Sequence, residues 1–237
     1  MKYQQIIFDV DDTLIDSAAT EKFSLQQLFA AHHWQLTPAL QQNYHRYNQE
    51  LWRQLELGEI TYEELSETTF RHFLKENLDL EVDGLEIMRE YRSYFSKAHQ
   101  LLPGVESTLK LARQLGYQLT ILSNGERLIQ NQRLELAGIK KYFNLIITSQ
   151  EAGVSKPDEQ IFDYFFARTK IPPEKTIFFG DGLQSDILGA EKYGFDSVWY
   201  NHRHRLNTLN LHPLFEVDSY QKFAELLRNN FINFVTN

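Results

Sequence analysis

The chain has 237 residues, 42% of them hydrophobic and 24% charged, with a net charge of -8 and no cysteine. This is ordinary globular composition, long enough for one large domain or a domain carrying an insertion. The missing cysteines exclude disulfides, thiolate metal sites and a cysteine nucleophile. The acidity disfavours a nucleic-acid polymer as partner, because phosphate contacts need clustered Lys and Arg. A small anionic ligand stays compatible if a bound cation and a few placed basic groups offset the field. No apolar run approaches the roughly 18 residues of a membrane span. The start enters a strand-like run at once and carries no leader pattern, so the expected location is the cytoplasm. Aromatic residues make up 14% of the chain, most of them expected in the core.

Residues 3–8 form the first apolar run, and Asp9-Val10-Asp11-Asp12-Thr13 follows directly. Like charges about 4 Å apart repel by roughly 4 kcal/mol at an effective dielectric near 20. Crowded carboxylates therefore need a cation, a proton or separation. Two readings of the segment stand: a metal-assisted site with a carboxylate nucleophile and a neighbouring acid/base, or a polar turn with a helix N-cap.

Residues 16–99 contain no convincing strand. Phe23, Leu25, Leu28 and Phe29 make one amphipathic stretch, and residues 40–57, 62–74 and 85–95 make three more. The spacing predicts an all-helical insertion of about four helices. Because it opens a few residues after Asp9, it is expected to act as a lid. Leu102-Pro103-Gly104 marks the return to the core, so residues 1–15 and 100–237 form one domain and 16–99 the other.

From there helix and strand alternate. Helices are predicted at 105–115, 127–137, 157–168 and 185–193, with Gly116, Gly138 and Gly194 as stops and Pro157 in a first turn. Strands are predicted at 118–122, 144–148, 176–179 and 197–200. Near-continuous apolar strands suit a parallel sheet covered on both faces, and the alternation gives a doubly wound, Rossmann-like α/β core. Residues 231–237 read as an untidy tail.

In such a sheet ligands bind beyond the carboxyl ends of the strands. Those ends carry Asp9 and Asp11; then Ser123-Asn124-Gly125; then, after a short loop, Ser155-Lys156-Pro157; then Gly180-Asp181-Gly182-Leu183-Gln184-Ser185-Asp186. Each piece alone is a turn, a solvated lysine or a helix cap. Jointly they supply carboxylates, a hydroxyl with a glycine turn and a lysine, the components of metal-assisted phosphoryl transfer. The basic cluster His202-Arg203-His204-Arg205 reads as a solvated loop rather than a phosphate reader.

With these residues in order, the sequence resembles the haloacid dehalogenase superfamily, mostly aspartate-nucleophile phosphatases. Asp9-Val10-Asp11-Asp12-Thr13 looks like its first motif, Asp-x-Asp-x-Thr; Ser123, Lys156 and Gly180-Asp181…Asp186 look like the second, third and fourth. The helical insertion resembles the family's cap. The resemblance implies that Asp9 attacks phosphorus, and that Asp11 protonates the leaving oxygen and then activates water. It implies Mg²⁺ on Asp9, the Asp11 carbonyl and Asp181, with Ser123 and Lys156 on the phosphoryl oxygens. Backbone N–H groups near Asn124 and Gly125 could add donors. Asp186 would orient Lys156 or a metal-bound water, and Thr13 would fix the turn that aims Asp11. An acid/base aspartate at position 11 sets the chain apart from the superfamily's dehalogenases. Asp12 and Gly182 depart from the commonest residues at their motif positions, which bears on subgroup rather than reaction type.

Four segments are closer to one subgroup, the noncanonical pyrimidine 5′-nucleotidases. They are Leu51-Trp52 with Gly58-Glu59-Ile60-Thr61; Asn124-Gly125 with Gln132-Arg133-Leu134-Glu135 and Gly138-Ile139; Gly153-Val154-Ser155-Lys156-Pro157-Asp158 into Ile161-Phe162-Asp163-Tyr164; and Trp199-Tyr200-Asn201. This implies a nucleoside 5′-monophosphate such as dUMP, UMP or dTMP, or a modified pyrimidine. Phe23, Tyr47 and Trp52 could stack on the base or fill the cap's own core. Phosphoglycolate and sugar-phosphate phosphatases or a phosphomutase would use the same core; a non-enzymatic binding module would not need all of Asp9, Asp11, Ser123, Lys156 and Asp181.

Overall fold

The computed structural model describes residues 2–231. The chain divides into two compact units, residues 1–16 with 100–237, and Ser17–His99.

In the first unit, the described residues form one six-stranded sheet: β1 Gln5–Phe8, β2 Gln118–Ser123, β3 Leu145–Thr148, β4 Thr176–Gly180, β5 Asp196–Tyr200 and β6 Phe215–Val217. The order is β3-β2-β1-β4-β5-β6 and every neighbouring pair is parallel. Strand alternation feeds two cores. Ile6 and Phe8 pack with Val105, Leu109 and Phe223 on one face, while Ile7 packs with Leu122, Ile161, Phe162 and Phe178 on the other. Helices α5 (Val105–Gln114) and α10 (Tyr220–Arg228) supply the first face, and α8 (Glu159–Phe166) the second. The doubly wound expectation is met. With β1 at the centre, its carboxyl end lies between those of β2 and β4.

Three details differ from the sequence reading. β6 spans three residues, too short for a periodicity to register. α8 begins at Glu159, with the Asp158 side chain capping the Gln160 N–H at 2.9 Å, so Pro157 precedes the helix instead of opening it. The stretch 185–193 is a wide turn at Leu183–Ile187 followed by α9, Leu188–Tyr193. Of the expected tail, residues 232–237 lie outside the described residues. Phe231 is buried, edge-on to Tyr3 at 5.1 Å.

The second unit holds α1 Ser17–Ala31, α2 Pro38–Glu56, α3 Tyr62–Leu78 and α4 Gly84–Phe95. Thr37, Thr61 and Asp83 cap the last three; Thr61 and Glu64 form a reciprocal capping box. Leu25, Leu28, Phe29, Tyr44, Phe70, Phe73 and Tyr91 make its core. Tyr47 and Trp52 pack against that core, with ring centroids 5.8 Å from Phe73 and 6.4 Å from Tyr62. Phe23 is 37% exposed and lies off the face its neighbours Leu25, Leu28 and Phe29 share. No helix among the described residues is long and apolar enough to cross a membrane. Helices α6 (Arg127–Leu136) and α7 (Ser149–Ala152) complete the first unit.

Candidate active site

The carboxyl ends of β1, β2 and β4 bring the sequence motifs together in the first unit. Lys156 is central. Its Nζ is 2.7 Å from Asp9 Oδ1 and 2.7 Å from Asp186 Oδ1, and its side chain is 1% exposed. Burial alone would lower the Lys156 pKa, but the Asp186 and Asp9 carboxylates raise it above the ordinary value, so the ammonium stays charged. Asn124 fixes the lysine's main chain: its Oδ1 accepts the Lys156 N–H at 2.8 Å and its Nδ2 donates to the Lys156 carbonyl at 3.0 Å. The Asn124 side chain is thus a brace for Lys156.

Asp186 reaches Lys156 from the wide turn after β4. Its Oδ2 accepts the Gly182 N–H at 2.9 Å. A Cβ on Gly180 would lie 2.3 Å from Asp186 Oδ2, so that position must be glycine for the carboxylate to fold beneath the loop.

Carboxylate oxygens of Asp9, Asp181 and Asp186 lie within 4.8 Å of one another, all in buried residues. Burial pushes the Asp9 carboxyl up; Lys156 opposes that, and Asp186 and Asp181 add to it. Asp181 is pushed up to about 7 by burial, with Arg205 pulling down and Asp12 and Asp186 pushing up. The Thr13 hydroxyl accepts the Asp181 N–H at 3.1 Å and donates to Asp181 Oδ1 at 3.3 Å. Thr13 therefore anchors Asp181, and the Tyr220 hydroxyl holds the Thr13 carbonyl at 2.5 Å. An all-oxygen cluster of three carboxylates, more than Lys156 and Arg205 together offset, fits a hard divalent cation such as Mg²⁺.

Asp11 lies apart from that cluster. Its Oδ1 is 2.7 Å from Arg133 Nη1 and its Oδ2 is 2.7 Å from Gln130 Nε2. Gln130 Nε2 also donates to Ser123 Oγ at 3.0 Å, and the Gly125 N–H donates to the same oxygen at 3.2 Å. A hydroxyl has two acceptor positions and one donor. Both acceptors of Ser123 are filled, so its hydrogen is what it offers a ligand, while the Gly125 N–H is already engaged.

The basic cluster departs from the sequence reading. Arg203 Nη2 pairs with Asp12 Oδ2 at 2.7 Å, and Arg205 Nη2 reaches Asp181 Oδ2 at 2.6 Å and the Asp181 carbonyl at 2.7 Å. These arginines are held by site carboxylates, not by solvent. Asp12, at φ 57°, sits in a left-handed turn where Asp is tolerated. Gln130, Arg133, Arg203 and Arg205 were not among the chemistry-bearing residues read from the sequence. The available signals are the basic density after β5, glutamine and arginine three apart on one helix, and the place of Arg133 in a segment that resembles the nucleotidase subgroup.

A family model of haloacid dehalogenase-like hydrolases matches residues 3–194. A Bacillus subtilis protein named as a HAD-hydrolase, YfnB, is 33% identical over 95% of this chain and 96% of its own. The pyrimidine 5′-nucleotidases PynA of Streptococcus pneumoniae and YjjG of Escherichia coli are 32% and 31% identical. PynA is matched over 100% of both chains, YjjG over 96% of this one and 99% of its own. The crystal structure of YfnB bound to magnesium superposes with a TM-score of 0.91, covering 96% of this chain and 99% of that one. The chain belongs to the haloacid dehalogenase-like hydrolase family.

Proposed function

We propose that the protein is a Mg²⁺-dependent phosphatase acting through an aspartyl-phosphate, with pyrimidine nucleoside 5′-monophosphates as substrates. The observation that carries the chemistry is the charged Lys156 bridging Asp9 and Asp186 at 2.7 Å each beside Asp181. It gives a carboxylate held ready beside a fixed cation in a buried pocket of charge, where electrostatic stabilisation is strongest. Two full-length relatives named as pyrimidine 5′-nucleotidases support the substrate class.

Asp9, Asp181 and the main-chain carbonyl of Asp11 would hold the cation, with Asp186 beside them; a relative of known structure carries magnesium. Mg²⁺ there supplies Lewis-acid polarisation of the phosphoryl group and offsets its charge. An Asp9 oxygen attacks phosphorus as the bond to the leaving oxygen breaks, and Asp11 gives that oxygen a proton. Asp11 then takes a proton from the attacking water, phosphate leaves, and Asp9 is restored. Ser123 donates to a phosphoryl oxygen and Lys156 neutralises developing charge. The helical unit, joined to the chain a few residues beyond Asp9, is proposed as the cover that chooses the leaving group.

The test is phosphate release from dUMP, dTMP, UMP, AMP, phosphoglycolate and sugar phosphates, with Mg²⁺ and with EDTA. Magnesium-dependent turnover strongest on the pyrimidine nucleotides is the expected result. Preference for phosphoglycolate or a sugar phosphate would overturn the substrate assignment, and no release at all would overturn the phosphatase reading.

A further inference from the structure

Among the described residues, Arg133 is the largest charged side chain buried completely, at 0% exposure. A buried guanidinium carries a desolvation penalty that a leucine on the same helix face would avoid. Its position is therefore informative. It sits three residues after Gln130 on α6, a spacing that puts both on one face, and both point at residues already assigned to chemistry.

The hydrogen bonds link Arg133, Gln130, Asp11 and Ser123. Arg133 Nη1 donates to Asp11 Oδ1 at 2.7 Å and to Gln130 Oε1 at 3.0 Å. That second bond fixes which way the Gln130 amide faces. Its NH₂ group then has two hydrogens to give, one to Asp11 Oδ2 at 2.7 Å and one to Ser123 Oγ at 3.0 Å. Room for this amide comes from Gly125, where a Cβ would lie 2.4 Å from Gln130 Nε2. A glycine, a glutamine and an arginine thus converge on two site side chains delivered by different strand ends.

We propose that Gln130 and Arg133 are positioning residues. They lock the carboxylate plane of Asp11 for proton transfer, and they couple that carboxylate to the Ser123 hydroxyl on the phosphoryl group. The inference rests on the phosphatase reading above. A carboxylate has about four acceptor positions, so Asp11 held at both oxygens retains positions through which to exchange a proton. Proton transfer from a positioned group contributes about 10²–10⁴-fold; transfer to the leaving oxygen is needed only by esters with a basic leaving group, whereas proton removal from the attacking water follows for every ester.

The test compares an alkyl ester with an aryl ester. Arg133→Met should lower kcat/KM, which covers the steps through departure of the leaving group, by about tenfold or more on dUMP and far less on p-nitrophenyl phosphate. p-Nitrophenolate departs without a proton, so it reports the rest of the site. The Asp11 side chain is 37% exposed, so removing Arg133 leaves it in contact with water, not stranded in an apolar core. Gln130→Met is read in the same way, and serves if Arg133→Met does not fold. Equal losses on the two esters, or no loss on either, would overturn the proposal as a positioning role. No turnover of either ester by the unaltered protein would overturn the phosphatase reading itself, and the proposal with it.

Discussion

The two units of this chain bury their polar residues in different ways. In the sheet unit, buried polar groups converge: Asp9, Lys156, Asp181, Asp186, Ser123, Gln130 and Arg133 all meet at the ends of three neighbouring strands. In the helical unit, buried polar groups satisfy local helix geometry. Ser24, Ser66 and Thr69 each donate to the carbonyl four residues back. Two buried polar groups there also reach another helix: Glu21 is 3.0 Å from His45 Nδ1 and accepts from Asn48 Nδ2 at 3.1 Å across from α2, and Ser66 accepts from Arg92 Nη2 on α4 at 2.6 Å. Distant partners alone do not mark the candidate site, since buried Gln5 at the start of β1 bonds Thr176 at 3.2 Å and Thr169 at 2.7 Å; what marks it is the convergence of several such residues at the carboxyl ends of the strands.

Substitutions in the two units should differ in what they cost. The largest effect belongs to the sheet unit. Asp9→Asn should reduce phosphate release on the order of 10³-fold or more without unfolding the protein, because Asn keeps the shape and leaves Asp186 to hold Lys156. Turnover that survives the change would remove the nucleophile from the account.

Lys156→Met should follow, in stability as well as rate. Breaking a buried pair by removing one partner costs about 3–5 kcal/mol, and here two carboxylates, Asp9 and Asp186, are left facing each other. The thermal midpoint should fall, and Mg²⁺ should restore part of the loss by supplying another cation. A midpoint unchanged from the parent would show that the lysine is not the counter-charge described here.

The pH dependence is a smaller effect and has a defined sign. Burial pushes the Asp181 carboxyl up to about 7 in the folded protein from an ordinary 3.8. Between those values the folded state keeps a proton that the unfolded chain has lost. Stability of the protein in EDTA should therefore decline as pH rises from about 4 to about 7 and level off above. Asp181→Asn should flatten that part of the curve. Two parallel curves would contradict the assignment.

The smallest effect belongs to the helical unit. Phe23→Ala removes a ring that is 37% exposed and should shift stability by less than about 0.5 kcal/mol. If it serves as the base platform, KM for pyrimidine nucleotides should rise about fivefold with kcat held, the mark of lost ground-state binding. Tyr47→Ala and Trp52→Ala should instead lower stability, because those rings already have partners within the unit's core.

The sheet and the strand-end residues of the candidate site are legible in the sequence because parallel strands are continuous apolar runs and their carboxyl ends point one way. Reading the residues after each run therefore found Asp9, Ser123, Lys156 and Asp181. The supporting residues were not legible, for separate reasons. Arg203 and Arg205 lie on a loop whose return toward Asp12 and Asp181 depends on β5 and on Asn201, whose Oδ1 accepts the Arg205 N–H at 2.7 Å. Gln130 and Arg133 sit on a helix, where polar side chains ordinarily face water. Three-residue β6 is shorter than any pattern that periodicity can detect. The helical unit's four helices were legible from spacing, but Phe23 shares the composition of its neighbours and not their face. Which aromatic ring packs and which stays exposed is decided by tertiary fit.

The central claim is that Asp9 carries the phosphoryl group. The direct measurement is a rapid acid quench during turnover of dUMP with Mg²⁺, followed by peptide mass mapping. The expected result is a phosphorylated peptide that contains Asp9, formed at least as fast as phosphate is released and absent in Asp9→Asn. Release of phosphate at the full rate with no phosphorylated peptide, or with the label on a peptide lacking Asp9, would contradict it.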